Sequence, residues 1–158
     1  MRLGSGIARV KEMLEMGIRV SLGVDGSASN DTSDMLAEVR QAMLLQRIKY
    51  GPDALTARDA LKLATRGGAD MLGFPLLGKI EVGAGADIIV FDLDHPQFVG
   101  ALSDPVAAIV FTGYSHQVDL SIVNGQVLIR NGELLVADEE EIAARTNEIA
   151  KKLWSDLL

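Results

Sequence analysis

Apolar residues Ile7, Val10, Met13 and Leu14 recur at helical spacing across residues 7–16, with Arg9, Lys11, Glu12 and Glu15 between them. That period predicts an amphipathic helix, and Gly17 supplies its stop. The next seven residues, IRVSLGV at 18–24, read as a short strand whose LGV end is apolar on both faces, as in a buried parallel strand. After the loop GSASND, Thr32, Ser33 and Asp34 offer capping oxygens to a long helix over about 34–49. Within it Met35, Leu36, Val39, Ala42, Met43, Leu45 and Gln46 form a wide stripe. Tyr50-Gly51-Pro52 ends this helix, and Thr56 caps another that runs through ALKLATRGG into a short helical turn around 69–72.

At about residue 74 the period changes to glycine punctuation and β-branched runs. IIVF, AAIVF at 107–111, VDLSIV at 118–123 and VLI at 127–129 all read as strands. Asn124-Gly125 is a strong hairpin signal, and Asn131-Gly132 repeats it before ELLV. The tail is an amphipathic helix capped near Asp138, acidic in its first turn and carrying Lys151 and Lys152 near its end.

These elements make an α/β chain in three parts: helices around one parallel strand at 1–73, a small β region at 74–137, and a terminal helix at 138–158. A closed eight-stranded barrel needs about 250 residues. With 158 residues the chain is too short for one, but its first part has the form of a barrel's end.

Charge and composition narrow the function. Fifteen basic against 22 acidic residues give a net charge of -7, which leaves no basic footprint for nucleic acid or an anionic membrane. Cysteine is absent, which removes disulfides, thiolate metal sites and cysteine nucleophiles together, and a cytoplasmic location is the expectation. The N-terminal stretch has charges every few residues and reads as neither a signal peptide nor a membrane span.

Candidate chemistry is sparse. Asp25 stands at the C-terminal end of the predicted strand, where α/β folds place functional groups because the strand is rigid and the loop open. A second reading makes Asp25-Gly26 a turn, with Ser27, Ser29, Asn30 and Asp31 satisfying loop amides; on position alone this one is favoured. The two histidines, His95 and His116, are far apart and form no HxH or HxxxH pair, so they read as loop residues rather than metal ligands. The glycines of EVGAGADIIV precede a strand and open no helix, unlike a phosphate loop. Ser27 lacks a G-x-S-x-G setting, and the methionines at helical spacing read as core filler.

The segment GVDGSASNDTSDMLAEVRQAMLLQR resembles the region after the eighth barrel strand of the metal-dependent amidohydrolase superfamily, in its purine and triazine aminohydrolase branch. Within that branch the pattern is nearest to 8-oxoguanine deaminases. LTARDALKLATRGGADMLGFPLLGKIEVGAGADIIVFDLD and VDLSIVNGQVLIRNGELL are similar to the stretches in which such enzymes leave the barrel and build a small β-sandwich.

The resemblance implies the C-terminal fragment of a TIM-like (β/α)8 barrel: seventh helix, eighth strand and eighth helix, then part of a β-sandwich and a C-terminal helix. It implies that Asp25 ligates one divalent metal, zinc or iron, and accepts a proton from the attacking water. Ser27, Ser29 and Asn30 then brace the acid or lie beside the substrate. The implied reaction of the intact protein is hydrolytic deamination of a purine-like heterocycle, 8-oxoguanine or guanine foremost. The family's HxH pair, its later histidines and its acid/base glutamate have no counterpart in these residues. The isolated chain is therefore expected to be inactive, its partner being the missing N-terminal barrel half, as the same or a separate polypeptide, or further copies of itself. The alternative is a non-catalytic, oligomeric binding or scaffold module that reuses the fold.

Overall fold

The computed structural model describes residues 3–112 and 117–155, and His116 lies outside the described residues. The chain divides into two compact units: Met1–Ala86 with Asp92–His116, and Asp87–Phe91 with Gln117–Leu158.

In the first unit, α1 spans Val10–Glu15, α2 Met35–Tyr50, α3 Ala57–Ala64, α4 Arg66–Leu72 and α5 Pro105–Thr112, with a 3-10 turn at Pro96–Phe98. Helix α2 starts where the carboxylate of Asp34 accepts the N–H groups of Leu36 and Ala37 at 2.9 and 3.1 Å, two donors that a helix start otherwise leaves without partners. Thr56 and Asp59 form a reciprocal capping box at the start of α3. The core gathers Leu36, Val39 and Met43 of α2 with Ala57, Ala60 and Leu63 of α3 and Ala108 and Val110 of α5. Burial of Met43 alone stabilises by about 1.5–3 kcal/mol. These are the i, i+3, i+4 positions of the predicted stripe, whereas Met35 lies at its exposed margin.

Three sequence expectations differ from the structure. Residues 18–24 form no strand among the described residues. A strand is completed by hydrogen bonds from neighbours, and a parallel strand takes them on both edges. Here the segment is held by α4 instead: the Arg19 guanidinium donates to the Asp70 carbonyl at 3.2 Å, and the backbone of Val20 lies directly on Gly67. A Cβ on Gly67 would sit 2.8 Å from the Val20 carbonyl oxygen.

Residues 107–111 are helical, not extended. The carboxylate of Asp104 accepts the N–H groups of Val106 and Ala107, both at 3.1 Å, and Pro105 has the fixed φ that suits a first helical turn. A short apolar run has no period of its own, so the cap decided its form. The helix predicted through ALKLATRGG breaks at Thr65, whose φ and ψ are −114° and −88°, and resumes as α4.

The second unit is an antiparallel sheet in the order β1-β2-β3-β4, comprising Ile88–Val90, Leu120–Val123, Gln126–Arg130 and Glu133–Leu134, followed by α6 at Glu139–Ser155. Ile88 pairs with Ile122, Leu120 with Arg130, and Ile129 with Leu134, with an irregularity at Ser121/Ile122. Both Asn-Gly pairs have the two positive φ values that tight hairpins demand: 49° and 78° at 124–125, 53° and 79° at 131–132. Asp138 caps α6 through the N–H groups of Glu140 and Glu141, both at 3.0 Å, as its sequence predicts. No helix among the described residues is long and apolar enough to cross a membrane.

Candidate functional site

Asp25 has φ +67°, a left-handed conformation that costs a side-chain-bearing residue roughly 1–2 kcal/mol and that Asp and Asn tolerate best. Its Oδ1 accepts the Gly26 N–H at 2.7 Å, and among the described residues the carboxylate has no other hydrogen-bond partner. The Gly26 carbonyl in turn accepts the backbone N–H groups of Ser29 and Asn30 at 2.8 and 2.9 Å. Thus the loop after residue 24 closes into a tight turn behind Asp25 and leaves the acid exposed.

The four residues singled out by the sequence occupy this one turn, with different surroundings. Ser27 is exposed at its tip, and Ser29 is half-buried. Asn30 is the best anchored: its Oδ1 accepts the Thr32 N–H and hydroxyl at 3.2 and 3.0 Å, while its Nδ2 donates to Glu38 Oε1 at 2.6 Å. The turn of the second reading is therefore present, and it carries an acid without a cation partner among the described residues.

Asp25 and Ser29 share a cavity of about 410 Å³ with Leu45 and the N-terminal stretch Leu3–Ile7. The sequence gives residues 3–6 no role and starts the first helix at Ile7, whereas α1 begins at Val10. Just after residues 3–7 the chain is tied to α2 by Gln46, buried to 1 % exposure, which accepts the Lys11 N–H at 3.1 Å and donates to the Ala8 carbonyl at 2.9 Å. A second cavity, about 560 Å³, lies beside Ile18, Val20 and α4 and includes none of the predicted site residues. Glu38, also missed, is signalled only by its place in the first turn of α2, where a glutamate ordinarily serves the helix dipole.

A zinc centre takes three or four ligands. No group of three or more His, Cys, Asp or Glu stands together among the described residues, so Asp25 has no companion ligand set there. His95 is exposed and caps the 3-10 turn, its Nδ1 accepting the Gln97 N–H. The described residues do not by themselves make a metal site.

Residues 1–128 match the amidohydrolase family. A 5-methylthioadenosine/S-adenosylhomocysteine deaminase of Pelotomaculum thermopropionicum is 43% identical over 130 residues, covering 82% of this chain and 30% of the relative. An 8-oxoguanine deaminase of Pseudomonas aeruginosa is 43% identical over 125 residues, covering 79% and 27%. Among solved structures, the zinc-complexed atrazine chlorohydrolase of Arthrobacter aurescens aligns with TM-score 0.87 at 42% identity, covering 92% of this chain and 33% of that one. A zinc-bound adenosine deaminase of Xanthomonas campestris aligns with TM-score 0.91 at 29% identity, covering 97% and 35%. The chain thus spans about 30% of the length of the curated relatives it matches. With a family match over most of its length and folds of this closeness, the chain belongs to the amidohydrolase family.

Proposed function

We propose that these residues are the C-terminal part of a metal-dependent hydrolase that deaminates a purine-like heterocycle, 8-oxoguanine or guanine foremost, and that Asp25 is its proton-transfer acid and one ligand of its divalent metal. The observation that carries this reading is the bare carboxylate of Asp25, held on a closed turn and lining a cavity with Ser29. Relatives named as deaminases of adenosine derivatives and of 8-oxoguanine support the substrate class, and zinc in two related structures supports the metal, with iron as the other candidate.

A divalent ion, when bound, polarises the substrate and lowers the pKa of water toward about 7. The chain's own contribution is proton handling. Asp25 has one oxygen engaged with the Gly26 N–H, which leaves the other to take a proton from the attacking water. The same oxygen then delivers that proton to the departing amine, so the carboxylate ends the cycle ionised as it began. Ser29 lines the cavity with Asp25, which supports a substrate-adjacent role for it, and Ser27 and Asn30 of the same turn serve as supporting groups.

The remaining metal ligands belong to barrel sequence not contained in these residues, and the boundary near residue 73 marks where barrel gives way to sandwich. In the whole protein, residues 18–24 gain strand neighbours and form the eighth barrel strand. Ile18, at 48 % exposure, and Val20 on the second cavity support this, since an isolated copy leaves them uncovered.

The reading is tested by a chimera in which residues 3–154 replace the matching C-terminal third of an 8-oxoguanine deaminase. With zinc or ferrous iron it should turn over 8-oxoguanine or guanine faster than 5-methylthioadenosine or an aminotriazine. Asp25→Asn should abolish turnover, and the 158-residue chain alone should show none. Full activity of the Asp25→Asn chimera would remove Asp25 from the chemistry, and turnover by the chain alone would overturn its proposed dependence on the rest of the barrel.

A further inference from the structure

The conformation of Asp25 raises a question that its own hydrogen bond does not answer. A left-handed, side-chain-bearing residue persists only where its surroundings over-determine it. The Gly26 N–H bond is local to the turn and moves with it. What ties the turn to something rigid is the 2.6 Å bond from Asn30 Nδ2 to Glu38 Oε1, because Glu38 lies in the first turn of the sixteen-residue helix α2. That helix is anchored by Leu36, Val39 and Met43 in the core.

We propose that Glu38 is a positioning residue for Asp25, acting through Asn30. Asn30 is used on three sides: its backbone N–H holds the Gly26 carbonyl, its Oδ1 takes both donors of Thr32, and its Nδ2 reaches Glu38. With Oδ1 receiving the Thr32 N–H and hydroxyl, the amide is oriented with Nδ2 toward α2, and Glu38 is the acceptor it finds there. Removing that acceptor frees Asn30 to rotate and unfastens the turn that sets the direction of the Asp25 carboxylate. The catalytic consequence rests on the proton-transfer role proposed for Asp25, whereas the mechanical part does not.

The rival role for Glu38 is a negative charge favouring the α2 N-terminus, and the two respond differently to substitution. In the 158-residue chain, amide hydrogen exchange at Ser29 and Asn30 reports the turn, and exchange at Met43 and Gln46 reports the helix. Glu38→Ala should speed exchange at Ser29 and Asn30 on the order of tenfold while Met43 and Gln46 stay unchanged. Glu38→Gln, which keeps an acceptor oxygen but loses the charge, should restore slow exchange; this near-isosteric variant also covers the case in which Glu38→Ala fails to fold. If Glu38→Gln behaves like Glu38→Ala, or if exchange changes along all of α2, the charge is what matters and the positioning role is lost.

In the chimera, Glu38→Ala should lower kcat about tenfold with KM little changed, and Glu38→Gln should recover it. Exchange that responds as expected while kcat does not would uphold the mechanical link and refute the proton-transfer role of Asp25. Unaltered exchange at Ser29 and Asn30 refutes the positioning role whatever the kinetics.

Discussion

Gln46 joins α2 to the start of α1, and its replacement by methionine tests how far that junction depends on one buried amide. The side chain is 1 % exposed, its Oε1 accepting the Lys11 N–H at 3.1 Å and its Nε2 donating to the Ala8 carbonyl at 2.9 Å. Lys11 lies in the first turn of α1, where N–H groups have no partner within the helix, and Arg9 provides no side-chain cap. Gln46 is thus the cap of α1, delivered from another helix. Gln46→Met keeps the volume and nearly the same helix propensity, so the cost is confined to the two backbone groups left behind. Each buried backbone group stranded without its partner costs about 1–3 kcal/mol, so the two together give about 2–6 kcal/mol. Urea unfolding followed by circular dichroism should show the midpoint falling with the slope unchanged. Gln46→Glu keeps the acceptor for Lys11 but sets a carboxylate oxygen against the Ala8 carbonyl, so its loss should be larger at pH 7 than near pH 4, where protonation restores a donor. A Gln46→Met loss below about 0.5 kcal/mol would mean that water or a shift of residues 8–11 satisfies both groups, and the capping role argued for Gln46 would be wrong.

Asp25→Gly should raise stability by about 1 kcal/mol, because glycine adopts φ +67° without a side-chain penalty, while abolishing turnover in the chimera; unfolding midpoints and kcat measured on the two proteins check this pair. The Tyr50 hydroxyl donates to Glu12 Oε1 at 2.6 Å and, with Arg9 and Lys49 adding to it, holds that carboxyl below its ordinary value of 4.5 despite some desolvation. A depressed carboxyl contributes stability that is complete above the unfolded value and disappears as pH falls through the lower folded one. Tyr50→Phe should therefore flatten the melting-temperature profile below about pH 4.5, and parallel profiles for the two proteins would remove Tyr50 as the cause. Gly67→Ala should destabilise by about 1–3 kcal/mol, since its Cβ would sit 2.8 Å from the Val20 carbonyl oxygen and neither backbone has a flexible end to yield; a neutral result in chemical unfolding would show that residues 18–24 are not seated on α4.

The features legible in the sequence were those decided within a few residues. Asp34, Thr56 and Asp138 mark their helices because a capping carboxylate or hydroxyl reaches only N–H groups two or three positions on. Asn124-Gly125 and Asn131-Gly132 mark their hairpins because those residues accept positive φ most readily. The turn at 25–30 belongs with them, whereas Asp25, Ser27, Ser29 and Asn30 stand out as candidate site residues through the family resemblance of the segment that holds them.

Other outcomes depended on groups distant in the chain, which local sequence does not encode. Residues 18–24 have the composition of a buried strand, but strand pairing is supplied by neighbours, and the described residues offer α4 in their place. The run at 107–111 suits either form, and a helix resulted because Asp104 caps it and Ala108 and Val110 fit against the other helices. Gln46 read as one more position of a stripe, yet its amide spans 35 and 38 residues to hold Lys11 and Ala8. Glu38 likewise read as an ordinary first-turn acid until Asn30 was seen to bond to it. By itself the sequence determined the caps, the hairpins and the acid at position 25. Tertiary structure alone decided that Leu3–Ile7 and Leu45 line a cavity with that acid and that Asn30 bonds to Glu38, because those groups are brought together only by packing.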